Sequence, residues 1–553
     1  MYIRTTSRKN KDGSEVRYVQ LAHNEWDSEA GYSKVNVLYN FGREENVDKE
    51  ALKRLVNSIS RFLSPEDALK TQAQAGTGAE IKFISSRPMG GVWFLHGLWS
   101  HLGIDKVLNK LSEQREFKHS VERAIFAMVA NRALAPKSKL AIEDWVANDV
   151  HIPGLAEVPV QQLYRAMDFL LEAGEALQYQ VFWRVSHLFN LEVDLLYFDT
   201  TSTYFEVEIE DETENSFRKR GLSKDHRPDL PQAVIGLAVT RDGIPVRCWV
   251  WPGNTADMSV VEQVKKDLVG WKLGRVITVV DRGFASEDNL RYLQRAGGHY
   301  IAGEKRRSGK DKTEQALSHP GRFKQVRDNL EVKEIIVGNG EGRIRYILVR
   351  NPQEAIRDHA KREESIRKIK ADLAVIGELN GAPHTKAVCN LIAHPTYGRY
   401  IKTDKKGQPK LDKTKIKAEE KLDGKYLLRT SDETLSPEDV ALGYKQLLQV
   451  EDAFRTLKTT LELRPVYHRL EDRIRSHVLL CWLALLLIRC AENTTGYTWH
   501  QMRDHLQRMH LGEFHTSEGK LLQRTESTPF SKQLFGALKI PQPPIILEIS
   551  SKR

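Results

Sequence analysis

Hydrophobic and polar positions alternate in short runs near the start of the chain. Val16-Arg17-Tyr18-Val19-Gln20-Leu21 and Lys34-Val35-Asn36-Val37-Leu38 carry the two-residue period of half-buried strands, with polar turns around them. Lys49 to Phe62 has helical spacing, and Gln74-Ala75-Gly76-Thr77-Gly78-Ala79 reads as a linker. Residues 1–85 therefore predict a small β-rich module. Residues 86–190 carry helical periodicity, cut by Pro136, Pro153 and Pro159, and predict a helical domain.

The pattern changes from 191 onward. Val193 to Phe198 and Ala233 to Val239 are apolar runs of strand length, and Asp242-Gly243 turns the second into Ile244 to Val250. Ser259 to Leu268 predicts a helix opened by a Ser259-x-x-Glu262 capping box. Arg275 to Val280 reads as a buried strand, Ser286 to Arg295 as a helix, and His299 to Ala302 as the start of another strand. Antiparallel strands followed by crossover helices predict a mixed α/β sheet over 191–305.

Residues 306–424 then break the sheet pattern. They are rich in charge and glycine, with strand-like pieces at Glu334–Val337 and Arg345–Val349 and a charged helical run from Gln353 to Ile376. Lys402 to Lys425 is dense in lysine. Tyr426 to Thr430 resumes as a strand, and Ser436-Pro437 starts a long helix, with Ser436 as its cap. The middle block is thus an insertion, and the sheet domain closes over 425–500. Val478 to Ile488 is too short an apolar run to span a bilayer and reads as a buried core helix. Residues 501–553 form a tail region, a candidate for dimer contacts.

Composition narrows the classes. The 553 residues are 29% charged and 40% hydrophobic, a globular balance long enough for several domains. A net charge of +10 favours a polyanionic partner. Cys248, Cys389, Cys481 and Cys490 make no CxxC pair, so neither a disulfide framework nor a structural zinc site is expected. Met1-Tyr2-Ile3-Arg4 opens no apolar targeting stretch, which points to a reduced, cytoplasmic protein without a membrane partner.

Three acids carry the candidate chemistry. Asp199 directly follows the first strand and Asp281 the fourth, and the carboxyl ends of strands are where sites assemble in α/β sheets. Each Asp equally suits a turn or a helix cap. On the long helix, Leu447, Val450, Phe454, Leu457 and Leu461 form an apolar stripe. Tyr444, Glu451 and Lys458 recur at seven-residue steps beside it, so a carboxylate there can point over the sheet end. A solvated helix face with an incidental Glu gives the same spacing. Trp249 and Trp251 alternate on one strand face and read as core.

These motifs resemble the DDE transposases of bacterial insertion sequences, whose catalytic core is RNase H-like. The branch with a Tyr-x2-Arg-x3-Glu-x6-Lys signature and a β-rich insertion before the third acid is the most similar. Here the signature reads Tyr444-x2-Leu447-x3-Glu451-x6-Lys458, with Leu447 where that branch usually has Arg. Asp281-Arg282-Gly283-Phe284, Pro252-Gly253-Asn254-Thr255-Ala256-Asp257 and the loop Gly221 to Asp229 resemble further family motifs, in the same order along the chain.

The resemblance implies a mixed-sheet core holding Asp199, Asp281 and Glu451 as catalytic metal ligands. They would bind two Mg²⁺ ions about 3.5–4 Å apart, with Mn²⁺ able to substitute. One ion would activate water or a DNA 3′-hydroxyl, and the other would stabilise the leaving oxygen. The implied activity is cleavage at the element's ends and strand transfer into target DNA. The implied partners are double-stranded DNA, as terminal inverted repeats and as target, and a second copy of the chain. Tyr444, Lys458, Arg455, Lys224, Arg227 and Arg282 are the candidate DNA contacts. Asn254 and Asp257 would support the ligands, and residues 1–85 would recognise DNA ends. An RNase H-fold nuclease that cuts without joining, an inactive DNA-binding descendant and a carboxylate-pair glycosidase remain as alternatives.

Overall fold

The computed structural model describes all residues except 12, 29–30, 61, 63–80, 114, 116, 118–119, 190, 192–193, 208–215, 272–275, 308–310, 405–406, 517–518 and 552–553. The linker expected at 74–79 lies outside the described residues, as do Val193 and Arg275. The chain divides into two compact units: residues 1–82 with 515–520 and 550–553, and residues 83–514 with 521–549.

In the first unit, β1 (Tyr2–Lys9), β2 (Glu15–Asp27) and β3 (Tyr32–Arg43) form an antiparallel meander, followed by the helix Lys49–Ser60. Strand β1 was not foreseen. Its side chains are mostly exposed, so no apolar alternation marks it, and its backbone pairing with β2 from Tyr2↔Ala22 to Lys9↔Glu15 defines it instead.

The second unit opens with β4 (Lys82–Pro88) and a set of helices ending in the 30-residue helix Val160–Phe189. Then come β5 (Leu195–Tyr204), β6 (Gln232–Thr240), β7 (Pro245–Pro252), the helix Val261–Val269, β8 (Ile277–Val280), the helix Glu287–Gln294 and β9 (His299–Glu304). β5, β6 and β7 are antiparallel neighbours, whereas β8 pairs parallel to β5, and β9 parallel to β8. The sheet is thus mixed, antiparallel strands first and parallel ones after, as the sequence predicts over 191–305.

The insertion adds β10 (Lys324–Arg327), β11 (Leu330–Val337) and β12 (Ile344–Arg350), the helices Pro352–Glu378 and Gly381–Ala393, and the short pair β13 (Ile401–Thr403) and β14 (Pro409–Leu411). β15 (Lys425–Thr430) returns to the core. The insertion's first three strands do not make a sheet of their own. β15 pairs with β9 on one side and β12 on the other, giving one nine-stranded sheet in the order β10-β11-β12-β15-β9-β8-β5-β6-β7. The open edge of β9 needed a partner for its backbone groups, and β15 supplies it. At the chain's end, β16 (His510–His515), β17 (Gly519–Arg524) and β18 (Ile546–Ser551) join β4 in a four-stranded sheet.

Both faces of the core sheet are covered, so its strands read as continuous apolar runs. Along β5, Leu195 and Tyr197 enter the core cluster that includes Val450, Ile474 and Leu480, while Leu196 and Phe198 enter the opposite one with Trp249, Val264 and Leu290. Trp249 and Trp251 are core residues, 5% and 8% exposed. The helix Glu471–Thr495 is long and apolar enough to cross a membrane, yet 89% of its apolar window is buried within the protein. Every residue from Val478 to Ile488 is buried, each large side chain contributing roughly 1.5–3 kcal/mol.

Two local expectations fail. Ser259 caps no helix: it ends a 3₁₀ turn, Asp257–Ser259, and its hydroxyl donates to the Ala256 carbonyl at 2.7 Å. The helix starts at Val261 without a side-chain cap, because that turn already engages the preceding residues. The long helix after Ser436 is broken. Its first piece is Pro437–Lys445, capped by the Ser436 hydroxyl, and its second is Leu448–Arg455, followed by a five-residue π turn, Thr456–Thr460.

Gly236 in β6 tests this packing. A Cβ there would lie 2.5 Å from the Trp251 ring and 3.1 Å from the Phe198 ring. Gly236→Ala should cost about 1–3 kcal/mol, read as a lower urea midpoint with an unchanged slope. A wild-type midpoint would show that the aromatic layer yields freely.

Candidate active site

The alternation of β5 carries the first acid. Tyr197 faces the broken helix, its hydroxyl donating to Gln446 Oε1 at 2.8 Å, and Asp199, two residues on, shares that face. Contrary to the expectation that Asp199 ends its strand, β5 continues to Tyr204 and Asp199 sits at its middle, opposite Leu237 of β6. The strand extends because β6 pairs with it as far as Gln232. Asp281 does follow β8 directly. The parallel register Phe198↔Val280 sets Asp199 and Asp281 side by side on neighbouring strands.

Asp257 completes an acidic group. Its Oδ1 accepts from the Thr200 hydroxyl, and Lys224 Nζ lies 3.2 Å from its Oδ2. The same ammonium is 3.6 Å from Asp199 Oδ1 and donates to both the carbonyl and the hydroxyl oxygen of Thr200 at 2.7 Å. Burial pushes the Asp199 carboxyl up to about 6, the Lys224 ammonium and the Thr200 N–H pull it down, and Asp257 and Asp281 push it further up.

The broken helix brings the rest. Tyr444, in the last turn of the first piece, donates its hydroxyl to Asp281 Oδ1 at 2.9 Å. Burial, and then the Asp281 carboxylate, raise the Tyr444 pKa, so the phenol stays protonated. Gly303 of β9 admits that hydroxyl: a Cβ on Gly303 would be 2.4 Å from it. Glu451 is exposed and lines, with Asp281, Arg282, Arg306 and Tyr444, a cleft of about 640 Å³. Leu447, Val450, Phe454, Leu457 and Leu461 are all buried, as their spacing predicts. The break at Gln446-Leu447, however, puts Tyr444 and Glu451 on different helical pieces and Lys458 in the π turn, so the seven-residue stripe is not a single straight line.

The remaining candidates occupy varied positions. Lys458 Nζ lies 2.7 Å from Asp225 Oδ1, and Arg464 Nη1 lies 2.7 Å from Asp225 Oδ2. Arg227 pairs with Asp229 at 2.8 Å and covers the Tyr204 ring. Arg455 pairs with Asp452 at 3.0 Å on the helix surface. Asn254 is exposed in the turn after β7. Lys224, expected along a DNA path, instead points into the acids. Asp225, Arg464 and Thr200 escaped the sequence reading. Thr200 was readable in principle, as the neighbour of a candidate ligand, whereas Asp225 and Arg464 are separated by 239 positions and nothing local pairs them.

Among the described residues, no group of three His, Cys, Asp or Glu side chains converges to hold a metal ion. Asp199 and Asp281 are neighbours, and Glu451 reaches the cleft at Asp281 without closing a three-acid cage. The donor chemistry nonetheless fits a hard divalent cation. The acids offer only oxygen, and the Lys224 ammonium already stands as a cation between Asp199 and Asp257.

Residues 234–487 match the family model described as transposase DDE domain, a span containing Asp281 and Glu451 but beginning after Asp199. Residues 3–71 match the IS1634 family transposase, N-terminal domain. No curated protein matches the chain. Among solved structures, a cryo-EM structure of the piggyBac transposase synaptic complex with hairpin DNA is similar at 10% identity and a TM-score of 0.36, over 75% of this chain and 79% of that one.

The contact of Tyr444, Gly303 and Asp281 predicts a non-additive pair. Gly303→Ala should cost about 1–3 kcal/mol through its clash with the phenol. Tyr444→Phe should cost about 1 kcal/mol through the lost hydrogen bond. The double variant should be less destabilised than the sum, because losing the hydroxyl removes the 2.4 Å contact and leaves the ring Cζ at 3.1 Å as the nearest atom. Strictly additive unfolding energies would mean that the two side chains do not meet.

Proposed function

We propose, for a chain that belongs to the DDE transposases of insertion sequences, that Asp199, Asp281 and Glu451 are its catalytic metal ligands. The protein is a DNA transposase, an enzyme that cuts and joins DNA strands, and its family depends on divalent metal ions. The finer reading is two Mg²⁺ ions, replaceable by Mn²⁺, held by these three acids in a cytoplasmic enzyme. The observation that carries it is the parallel pairing of β5 with β8, which aligns Asp199 with Asp281.

When bound, the ions supply charge neutralisation at the scissile phosphate and an activated attacking oxygen. The chain's own groups do the positioning. Tyr444 holds Asp281 by its hydroxyl and so ties the helix preceding Glu451 to the sheet end. Lys458 and Arg464, both paired with the Asp225 carboxylate, are the phosphate-binding cations of this reading, and Arg282 lines the cleft beside Asp281. The substrates are the element's terminal inverted repeats and target DNA, the end-recognition module is residues 1–85, and the active assembly is a homodimer. Glu451 lies in the first turn of its helical piece and lines the same cleft as Asp281.

Asp199→Ala, Asp281→Ala and Glu451→Ala should each reduce Mg²⁺-dependent cleavage of a duplex carrying the element's end by about a thousandfold or more, while leaving DNA retention in gel shifts intact. Undiminished cleavage in any one of them removes that residue from the site. A pH dependence follows from Asp199. The carboxylate is the metal-binding form, and its pKa is pushed up to about 6, so protons compete with the ion as pH falls through 6. The apparent Mn²⁺ requirement should rise about tenfold per pH unit below that value and be flat above it. A requirement independent of pH between 5 and 7 would contradict Asp199 as a ligand.

A further inference from the structure

The loop Gly221 to Asp229 places two adjacent, oppositely charged side chains in two different parts of the site. Lys224 sends its ammonium between Asp199 and Asp257, at 3.6 and 3.2 Å. Asp225, next in the chain and only 7% exposed at its side chain, sends its carboxylate to Lys458 and Arg464, both at 2.7 Å. The loop is pinned between them: Lys224 N–H donates to Ser202 Oγ at 2.9 Å, and Arg227 N–H to Ser223 Oγ at 3.0 Å. His226 holds a left-handed φ of 58°, a conformation that a non-glycine residue adopts at a cost.

Each charge has the sign of what the site is built to take. An ammonium between carboxylates occupies the position of a hard cation. A buried carboxylate paired with Lys458 and Arg464 presents to them the negative charge that a DNA phosphate would. Because the two residues are consecutive, one cannot leave its partners far without disturbing the other.

We propose that this loop is a charge placeholder that couples the two ligands of the site. A DNA phosphate arriving at Lys458 and Arg464 displaces Asp225. The released loop withdraws Lys224 from Asp199 and Asp257, which opens the acids to a divalent ion. Metal and DNA then bind with positive cooperativity, and the coupling is reciprocal by linkage. Lys224 is thus a positioning residue that keeps the acids paired when neither ligand is present. The inference rests on the reading of Asp199 as a metal ligand and of Lys458 and Arg464 as phosphate contacts.

The test is calorimetric titration of the full-length protein with Ca²⁺, a hard divalent ion, in the absence and presence of a duplex carrying one end of the element. In the wild type, DNA should tighten Ca²⁺ binding about tenfold, and Ca²⁺ should tighten DNA binding by the same factor. Lys224→Met should bind Ca²⁺ about tenfold more tightly without DNA and lose the enhancement. Lys224→Gln, which keeps a donor for Thr200 and so guards against a folding defect, should behave the same way. If both variants match the wild type in affinity and coupling while Asp199→Ala loses Ca²⁺ binding, the placeholder is wrong and the metal site stands. If Asp199→Ala binds Ca²⁺ as the wild type does, the metal-site reading itself fails and the placeholder falls with it.

Discussion

The pairing of β5 with β8 sets two carboxylates next to each other in a largely buried place, and the neighbouring structure answers that repulsion. Asp199 lies on β5 and Asp281 directly after the parallel neighbour β8, and Asp257 approaches from the loop after β7. Like charges in a medium less polar than water are costly unless a cation or a hydrogen-bond donor stands among them. Lys224 supplies the cation and Tyr444 a donor. The site is therefore poised for positive charge before any ion is considered, which is the electrostatic requirement of a phosphoryl-transfer enzyme.

The second constraint is geometric. A single straight helix from Ser436 onward would carry Tyr444, Glu451 and Lys458 along one line. Breaking it at Gln446-Leu447 lets the first piece deliver Tyr444 to Asp281 over Gly303, while the second lays Val450 and Phe454 into the core. The π turn that follows directs Lys458 toward the 221–229 loop. Tyr197, reaching from β5 to Gln446, locks the break to the same strand that carries Asp199. One strand thus positions both the first acid and the hinge of the helix that bears the third.

The insertion is tied to this arrangement through the sheet. β15 is its exit strand and also the pairing partner of β9, so Leu427 lies opposite Glu304 and Leu428 opposite Gly303. Side chains from the insertion, among them Glu354 and Asp358, share the cleft with Asp281 and Glu451. The continuous ladder gives the inserted residues a fixed place at the cleft, as a floppy appendage would not.

The sequence by itself determined the elements whose two sides are both apolar or whose ends are marked by caps. β6, β7, the buried helix around Leu483, the helix after Ser286, the Ser436 cap and the apolar stripe from Leu447 to Leu461 were legible because each is encoded by neighbours in the chain. The acids Asp199, Asp281 and Glu451 were legible as candidates for the same reason, through their local motifs. Only the tertiary structure decided that β5 runs past Asp199, that the long helix breaks, that the insertion's strands extend the core sheet, and that Lys224 pairs with Asp199 and Asp257 while Asp225 pairs with Lys458 and Arg464. Those outcomes depend on which backbone edge finds a partner and which charge finds its opposite across hundreds of residues. Such pairings are settled by the energetics of burial in the assembled fold, and local sequence does not record them.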